Sequence, residues 1–396
     1  MRRLMEGVFV TKIIKTYVLP LLIVAGAGLS LWSSQYEAPV FWYQPVVSTV
    51  DKPVLYQENL IPNAETPTMH SVSVADCTNG DLLAVWYGGT REGHVDVALY
   101  SARYDAKNGQ WQAPKKILDR YQVANDTHHY IKKLGNPVLV NHPSGVMALV
   151  YVSVSLGGWA TSQINMMLSY DEGQTWHASK QLKVTPFINI STLVKNDAVI
   201  YQDGSIGITA YQELIGEFSE IIRVNLDGTV INKYRMSDGD YTIQPSVVVQ
   251  GPMKAVTLMR DSSRHTQKVQ ITSTDDGGYS WQPYESLPID NPNSAIYGFE
   301  DSQARIWMVF NNATRDRDVE HEARANLALA YRNTEHEDWK IVHYFEQPET
   351  QEQETHRYSY PWVHQSAAGE IHLLYTENRH QFKHVMFNEA WLETLL

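Results

Sequence analysis

The chain has 396 residues, of which 43% are hydrophobic and 11% aromatic, enough apolar side chains for a large buried core. Its formal net charge is −12 and it has no block rich in lysine or arginine, which argues against nucleic acid as a partner. The single cysteine, Cys77, excludes an intrachain disulfide and a zinc site built on cysteines. An acidic ligand is still compatible with the acidic chain, because a few arginines can converge locally.

The first 33 residues are typical of a membrane anchor. Four basic residues precede position 16, and an apolar run extends from Tyr17 to Trp32. Its length lies between that of a secretion signal and the roughly 20 residues of a membrane span. Positive charge before the run predicts that the body of the protein faces the periplasm or the exterior. A cleaved signal, which would give a secreted form, is the alternative.

The rest of the chain divides into a tether and one all-β domain. Residues 34–64 are polar, aromatic and punctuated by proline, so we expect a tether that docks on the domain and can supply one strand. From residue 65 to 396, short apolar runs such as 82–87, 146–154 and 206–211 alternate with Gly, Asp, Asn and Pro. Runs of this length predict strands, and their even spacing favours a sandwich, barrel or propeller.

An eight-residue repeat distinguishes among these folds. Residues 169–176 read S-x-D-x-G-x-T-W and residues 274–281 read T-x-D-x-G-x-S-W. Asp and hydroxyl side chains can bond turn amides, and Gly can take the positive-φ position. Degenerate versions end at Trp111 and Trp339, and the wider gap between Trp176 and Trp281 contains another turn at 225–228. This spacing predicts about six repeated units.

The two intact boxes resemble the Asp-box, or BNR, repeats of the sialidase (neuraminidase) superfamily. The stretches 86–93, 135–139, 291–294 and 358–361 are similar to a bacterial group of predicted neuraminidases within it. The resemblance spans roughly residues 60 to 390. It implies an all-β, six-bladed β-propeller carried by the N-terminal membrane anchor, with the active site opposite the Asp boxes. Asp171 and Asp276 are therefore expected to be structural.

The resemblance also implies an exo-acting glycoside hydrolase that releases a sialic acid or another acidic sugar. Such enzymes combine an acid with a tyrosine nucleophile paired with a glutamate. The loop at 90–96 offers Glu92 and Asp96 as candidate acids. Glu213 ends a mid-chain strand and resembles the glutamate partner, and Tyr358 matches the nucleophile better than Tyr360 does.

Arginines are the candidates to bind the substrate carboxylate, because a guanidinium group can bind it bidentately. The first choice, Arg260, follows an apolar strand. The other candidates are Arg91, Arg264, Arg332 and Arg379. In the family, the first arginine of the carboxylate clamp lies at the start of the first blade, and His70 stands there in this chain.

Two other functions stay open. A uronate-cleaving polysaccharide lyase needs groups that neutralise a carboxylate, together with a His or Tyr as base and acid. The residues that would supply them are His70, His128 or His129, Tyr211 and Arg260. The departure at His70 also suggests a non-catalytic glycan-binding propeller. An acidic carbohydrate is the expected partner in each case, with no cofactor and no metal, since the histidines lack a tight metal-ligand spacing.

Overall fold

The computed structural model describes Val18 and residues 38–185, 189–239, 241–263, 265–314, 324–333, 337–349 and 356–396. Apart from Val18, the predicted anchor at residues 1–33 lies outside the described residues, as do residues 34–37 and the candidate Arg264. No helix within the described ranges is long and apolar enough to cross a membrane. Pro39–Leu396 form one compact unit.

The described strands form six antiparallel sheets, the blades of a propeller. In most neighbouring blades the first strands contact each other, so they lie around the central axis. The large side chains of Trp86, Trp307 and Trp362 are fully buried between the sheets. The prediction of an all-β, six-bladed propeller is confirmed.

The first strand of the described residues is β1 (Tyr56–Ile61), which belongs to blade 6. Blade 1 contains β2 (Thr68–Asp76), β3 (Leu82–Gly89), β4 (Ala98–Asp105), β5 (Gln110–Trp111) and β6 (Lys115–Leu118). Helix α1 (Arg120–Thr127) connects it to blade 2. Blade 2 contains β7 (Lys133–Asn141), β8 (Met147–Val154), β9 (Ser162–Ser169) and β10 (Lys180–Gln181), with a short 3-10 helix, Trp159–Thr161, between β8 and β9.

The remaining blades follow in chain order. Blade 3 contains β11 (Leu193–Val194), β12 (Val199–Ile200), β13 (Ile206–Gln212), β14 (Phe218–Val224) and β15 (Val230–Arg235). Blade 4 contains β16 (Thr242–Val249), β17 (Ala255–Asp261), β18 (Lys268–Thr274) and β19 (Glu285–Asp290). Blade 5 contains β20 (Tyr297–Glu300), β21 (Ile306–Asn311), β22 (Leu327–Arg332) and β23 (Lys340–Glu346). Blade 6 contains β24 (Tyr358–Gln365), β25 (Ile371–Glu377) and β26 (Gln381–Phe387), and helix α2 (Glu389–Glu393) follows.

Blade 6 closes the ring by joining the two ends of the domain. Strand β1 pairs with β26 from Tyr56 opposite Phe387 to Ile61 opposite Phe382. Its outermost strand therefore comes from the segment predicted to be the tether. Pairing the first strand with the last leaves no open seam in the ring of blades.

The Asp boxes are turns between the third and fourth strands of blades 2 and 4. The Asp171 carboxylate accepts hydrogen bonds from the Thr175 amide at 2.8 Å and the Thr175 hydroxyl at 2.6 Å. These bonds lower the pKa of Asp171 to about 2. Gly173 supplies the positive φ of 77° that the turn requires. Asp276 makes the same bonds with Ser280, so both carboxylates act within the fold.

Four first strands contain a β-bulge near their start. The register shifts between residues 70 and 73, 135 and 138, 243 and 246, and 359 and 362. Each bulge includes one non-glycine residue with a positive φ, namely Ser71, Asn136, Gln244 and Tyr360. Bulges redirect side chains next to functional sites. Here they bring side chains of different blades together at the end of the ring opposite the Asp boxes.

A segment that we call the strap, residues 39–55, runs along the Asp-box end. Its Phe41 is fully buried and stacks on Tyr201, with ring centroids 5.1 Å apart. A Cβ atom on Gly277 would lie 1.5 Å from the Pro39 carbonyl oxygen. The strap therefore fits against the second Asp box only because residue 277 is glycine.

Candidate active site

A stacked pair of rings, His70 of blade 1 and Tyr360 of blade 6, lies at the end opposite the Asp boxes. Their centroids are 4.2 Å apart and their planes are inclined by 28°. His70 is 2% exposed, and its Nδ1 is 2.8 Å from the Thr376 hydroxyl. The ring of Tyr87 meets the imidazole edge-on at 5.8 Å. His70 is thus held on three sides.

Positive charge surrounds this pair. Burial is the largest cause that places the pKa of His70 well below its ordinary value. Four cations lower it further, in decreasing order Arg379, Arg324, Lys195 and Arg260. The imidazole is therefore neutral at physiological pH, and the cations come from blades 3, 4 and 6 and the segment before β22.

Gln244 connects the aromatic groups to one of these cations, Arg260. Its Nε2 donates to the hydroxyl of Tyr360 at 3.1 Å and to that of Tyr211 at 3.3 Å. Its Oε1 accepts from Arg260 Nη1 at 3.0 Å. The bulge at Gln244 thus fixes both tyrosine hydroxyls relative to one guanidinium group.

Asn293, which precedes β20 and has a φ of 57°, contacts two arginines. Its side-chain oxygen accepts from Arg260 Nε at 2.6 Å, and its carbonyl oxygen accepts from Arg324 Nη2 at 2.9 Å. One residue therefore orients two guanidinium groups. Because the guanidinium fork is planar and rigid, two oriented forks make a specific carboxylate site.

The third blade contributes a buried amine. Lys195, 2% exposed, donates to the Pro361 carbonyl oxygen at 2.6 Å and to Asn196 Oδ1 at 2.7 Å. Its Nζ also lies 5.6 Å from the ring centroid of Tyr360. Burial lowers the pKa of Lys195 to about 7, against the opposing effect of Asp197.

Glu92 and Arg379 form an ion pair between blades 1 and 6, with 2.7 Å between Oε2 and Nη1. Glu92 lies in the β3–β4 loop, and Arg379 lies in the β25–β26 turn, where its carbonyl accepts from the Met69 amide. After burial, the Glu92 carboxylate is the main group that raises the pKa of Tyr87. Glu92 therefore faces the aromatic cluster as well as the arginine.

Glu213 follows β13 on the other side of the cluster. Burial raises the pKa of Glu213, although Arg260 acts in the opposite sense, and the charges of Glu217 and Glu92 raise it further. The charge of Glu213 in turn raises the pKa of Tyr211, after burial and Tyr360. The carboxyl group of Glu213 thus lies near Arg260 and the paired tyrosines.

The other predicted residues of the 90–96 loop have local partners. Asp96 accepts from the Thr90 hydroxyl and lies near His94 Nδ1, at 2.6 Å in each case. These bonds lower the pKa of Asp96, although partial burial opposes them. Arg91 is exposed on the same loop. Within the described part of the chain, Glu92 contacts the cluster and the other candidate acid, Asp96, does not.

His128 and His129 lie outside the cluster, at the exposed end of α1. His129 Nδ1 is 2.6 Å from the Thr127 carbonyl oxygen. Neither contacts His70 in the described part of the chain. They therefore lie apart from His70, with which they were predicted to form the lyase site.

Tyr358, the predicted nucleophile, faces a different environment from Tyr360. Its ring is 6.1 Å from that of Tyr375 and 5.4 Å from Lys383 Nζ. Burial and the carboxylates of Glu346 and Glu377 raise its pKa. The bulge between Ser359 and Trp362 shifts the register here, and Tyr360 is the tyrosine of this strand that joins the cluster.

Sequence reasoning missed several members of the cluster. The residues not predicted are Tyr87, Lys195, Gln244, Asn293 and Arg324, and Tyr360 was ranked second. A usable signal exists, since Gln244 and Tyr360 each precede a proline at the start of a first strand, and Asn293 follows one. The prolines after Gln244 and Tyr360 mark two of the bulges that redirect side chains into the cluster.

The described residues include no group of three or more His, Cys, Asp or Glu side chains suited to a metal ion. A cavity of about 340 Å³ lies at the other end of the axis, lined in part by the strap and by Asp197, Tyr297 and Glu300. The cluster around His70 is the candidate active site, because charged and titratable side chains of several blades meet there.

The protein is thus a six-bladed β-propeller with a cationic cluster at the end of the axis opposite the Asp boxes. The chain belongs to the BNR repeat-like domain family, which matches residues 80–373. The predicted membership of the sialidase and BNR-repeat superfamily is confirmed. A search of curated protein sequences finds no match.

Solved structures share this fold at low sequence identity. The NanB sialidase of Streptococcus pneumoniae is 10% identical, with a TM-score of 0.63 over 82% of this chain and 69% of that one. The intramolecular trans-sialidase of Ruminococcus gnavus is 12% identical, with a TM-score of 0.64 over 83% and 96%. The α-L-arabinanase of Penicillium chrysogenum is 13% identical, with a TM-score of 0.60 over 87% and 100%. At identities this low, the structural similarity establishes a common fold only, and function has to be argued from the site.

Proposed function

We propose that the protein is an exo-acting glycoside hydrolase that releases a sialic acid or another acidic sugar. The observation that supports this best is the convergence of three guanidinium groups on the stacked His70 and Tyr360 rings. They belong to Arg260, Arg324 and Arg379. In a chain with a net charge of −12, such a local concentration of cations selects an anionic ligand.

Arg260 and Arg324 are the groups we assign to the sugar carboxylate. Both are oriented by Asn293, so little side-chain freedom remains to be lost on binding. His70 replaces the first arginine of the family pattern. A neutral imidazole can still donate one hydrogen bond, so the clamp in this protein combines arginines with a hydrogen-bond donor.

Glu92 is the proposed general acid. In the free protein its side chain is paired with Arg379. A substrate carboxylate held by Arg260 and Arg324 would compete with Glu92 for the nearby Arg379 and place a second negative charge close to Glu92. Both changes favour the protonated form that can donate to the leaving oxygen. Binding of an acidic sugar would therefore prepare the acid.

Tyr360, rather than Tyr358, is the proposed nucleophile. In the first step the Tyr360 oxygen bonds to the anomeric carbon, the glycosidic bond breaks, and the leaving oxygen takes the Glu92 proton. The tyrosine proton passes towards Glu213, whose charge acts on the adjacent Tyr211. Water then attacks the anomeric carbon and gives a proton to Glu92, the bond between that carbon and the Tyr360 oxygen breaks, and the tyrosine oxygen takes its proton back from Glu213, which restores the enzyme. A phenol suits this role because, unlike a carboxylate, it carries no charge to repel the substrate carboxylate.

A uronate lyase is the second candidate, and the neutral, buried His70 beside Tyr360 favours it. The pair could remove the proton next to a carboxylate held by arginines. The product would then carry a carbon–carbon double bond.

For the location of the protein, we retain the proposal of an N-terminal anchor that holds the propeller in the periplasm or outside the cell.

An assay of the full chain separates these functions. A 4-methylumbelliferyl sialoside, the corresponding glucuronide and an oligouronate are incubated with the native protein and with the Tyr360→Phe variant. Release of a free, saturated acidic sugar supports the hydrolase. Rising near-ultraviolet absorbance from an unsaturated product supports the lyase. Binding without a product, at any pH tested, would indicate a glycan-binding propeller.

A further inference from the structure

Lys133, the first residue of β7 in blade 2, presents an ammonium group that the proposed reaction does not use. The residue is 8% exposed. Its Nζ lies 3.8 Å from the ring centroid of Trp159. Among the described residues it has no hydrogen-bond acceptor and no ion-pair partner. An ammonium group has three donors, and the described residues satisfy none of them.

The ammonium group lies against the loop that carries the proposed acid. A Cβ atom on Gly93 would be 3.3 Å from Lys133 Nζ. Burial lowers the pKa of Lys133, and the neighbouring Glu92 carboxylate acts in the opposite sense. Glu92 itself is bound to Arg379. Lys133 is therefore close enough to Glu92 to feel its charge and is left without a direct partner.

Trp159 keeps the ammonium group in place. It begins the 3-10 helix Trp159–Thr161, in the loop between β8 and β9. A Cβ atom on Gly135 would approach its ring to 2.7 Å, so the indole packs directly on the backbone of β7. An ammonium group over an indole is stabilised by cation–π attraction. This contact leaves its N–H donors available to a ligand.

We infer that Lys133, positioned by Trp159, forms a second anion-binding subsite beside Glu92, which accepts a carboxylate or sulfate on the leaving-group side of the glycan. Its assignment to that side depends on the proposed function. Arg260 and Arg324 belong to blades 4 and 5, across the ring from blade 2. A sugar held by those arginines, with its glycosidic oxygen at Glu92, directs its leaving group towards blade 2.

The test is a calorimetric titration of the full chain in a Tyr360→Phe background, which prevents turnover. The ligands are 3′-sialyl-N-acetyllactosamine and the same glycan with a 6-sulfate on its N-acetylglucosamine. We expect the sulfated glycan to bind about tenfold more tightly, as one charge-assisted hydrogen bond provides. Lys133→Met should abolish this preference, and Lys133→Arg should retain part of it. A glycan with a uronate in place of the sulfated sugar distinguishes a carboxylate from a sulfate.

Lys132→Met is the matched control, because it removes the same charge from the adjacent residue. It should keep the preference. Equal affinity for the two glycans, or a preference that survives Lys133→Met, overturns the inference. The sulfated disaccharide without sialic acid is titrated in parallel. If the disaccharide loses its binding in Lys133→Met, that loss reports on this subsite alone. If no sialylated ligand binds while the disaccharide still does, the result counts against the proposed function and not against this subsite.

Discussion

The rings of His70 and Tyr360 are stacked with centroids 4.2 Å apart, although the residues lie near opposite ends of the domain sequence. Closure of the ring by β1 and β26 makes blade 6 the neighbour of blade 1. The bulges at Ser71 and Tyr360 lie in the facing first strands. The candidate site therefore depends on the closure of the propeller.

Tyr360→Phe should lower kcat by at least about 100-fold, because it removes the proposed nucleophile while keeping the ring that packs on His70. Tyr358→Phe is the matched control, a change of the same size two residues away. It should leave kcat almost unchanged and cost about 1 kcal/mol of stability, since the Tyr358 hydroxyl faces carboxylates. Steady-state kinetics and thermal unfolding of both variants check this. If Tyr358→Phe lowered kcat more than Tyr360→Phe does, Tyr358 would be the nucleophile instead.

Glu92→Gln should slow the release of a poor leaving group, such as a sugar, by about 100-fold or more. Release of 4-nitrophenol should be affected far less, because that group departs without protonation. Asp96→Asn provides the comparison, since Asp96 is engaged by Thr90 and should not show this dependence on the leaving group. The measurement is kcat/KM for the two substrates with each variant. An equal loss on both substrates in Glu92→Gln contradicts its role as an acid.

The pH dependence of kcat/KM should reflect the ionisation of Glu213. Because burial raises its pKa, Glu213 becomes an effective base only above the ordinary glutamate range, so kcat/KM should rise with pH through that raised value. Glu213→Gln should remove this limb of the profile. Glu217→Gln should move the limb to lower pH, since the Glu217 charge contributes to the raised pKa. A limb that stays in place in both variants belongs to another group.

Lys195 should make stability depend on pH in a defined direction. Its pKa is lowered to about 7 in the fold, mainly by burial, and is about 10.4 in an unfolded chain. Between these values the unfolded chain binds more protons, so folding becomes more favourable as pH rises. The stability of the native protein minus that of Lys195→Met should increase between about pH 8 and about pH 10, by up to about 1.4 kcal/mol per unit. Denaturant titrations at each pH measure it, and a flat or falling difference rejects the assignment.

Gly277→Ala should release the strap. The new Cβ atom would lie 1.5 Å from the Pro39 carbonyl oxygen, in addition to the strain of a positive φ. Gly80→Ala shares the positive φ but has nothing within 4 Å of the added carbon, so it reports the φ strain alone. We expect a clearly larger loss of thermal stability and faster proteolysis within residues 39–55 for Gly277→Ala. Equal effects of the two changes would mean that the strap contact contributes little.

The blades could be predicted because each leaves a local signature. The predicted runs 82–87, 146–154 and 206–211 lie within β3, β8 and β13 or extend one residue beyond them. The intact Asp boxes fall between the third and fourth strands of their blades, and the turn at 225–228 occupies the same place in blade 3. Turn hydrogen bonds and period-two alternation act over a few residues, so sequence alone contains them.

The site was harder to predict because it is built across blades. Glu92 and Arg379 are far apart in sequence and meet only when blades 1 and 6 become neighbours. The choice between Tyr358 and Tyr360 depended on a bulge that shifts the register between them. One extra residue in a strand reverses the face to which a side chain points. Spacing alone could not supply that information.

The most direct test of an acidic-sugar hydrolase compares a fluorogenic sialoside with its methyl ester, using the full chain and its Arg260→Met variant. The two substrates differ only in the negative charge that the arginines are proposed to bind. We predict that native kcat/KM favours the free acid by about 100-fold, and that Arg260→Met loses at least about tenfold of this preference. Equal turnover of acid and ester, or a preference unchanged in Arg260→Met, would contradict the proposed role of the cationic cluster.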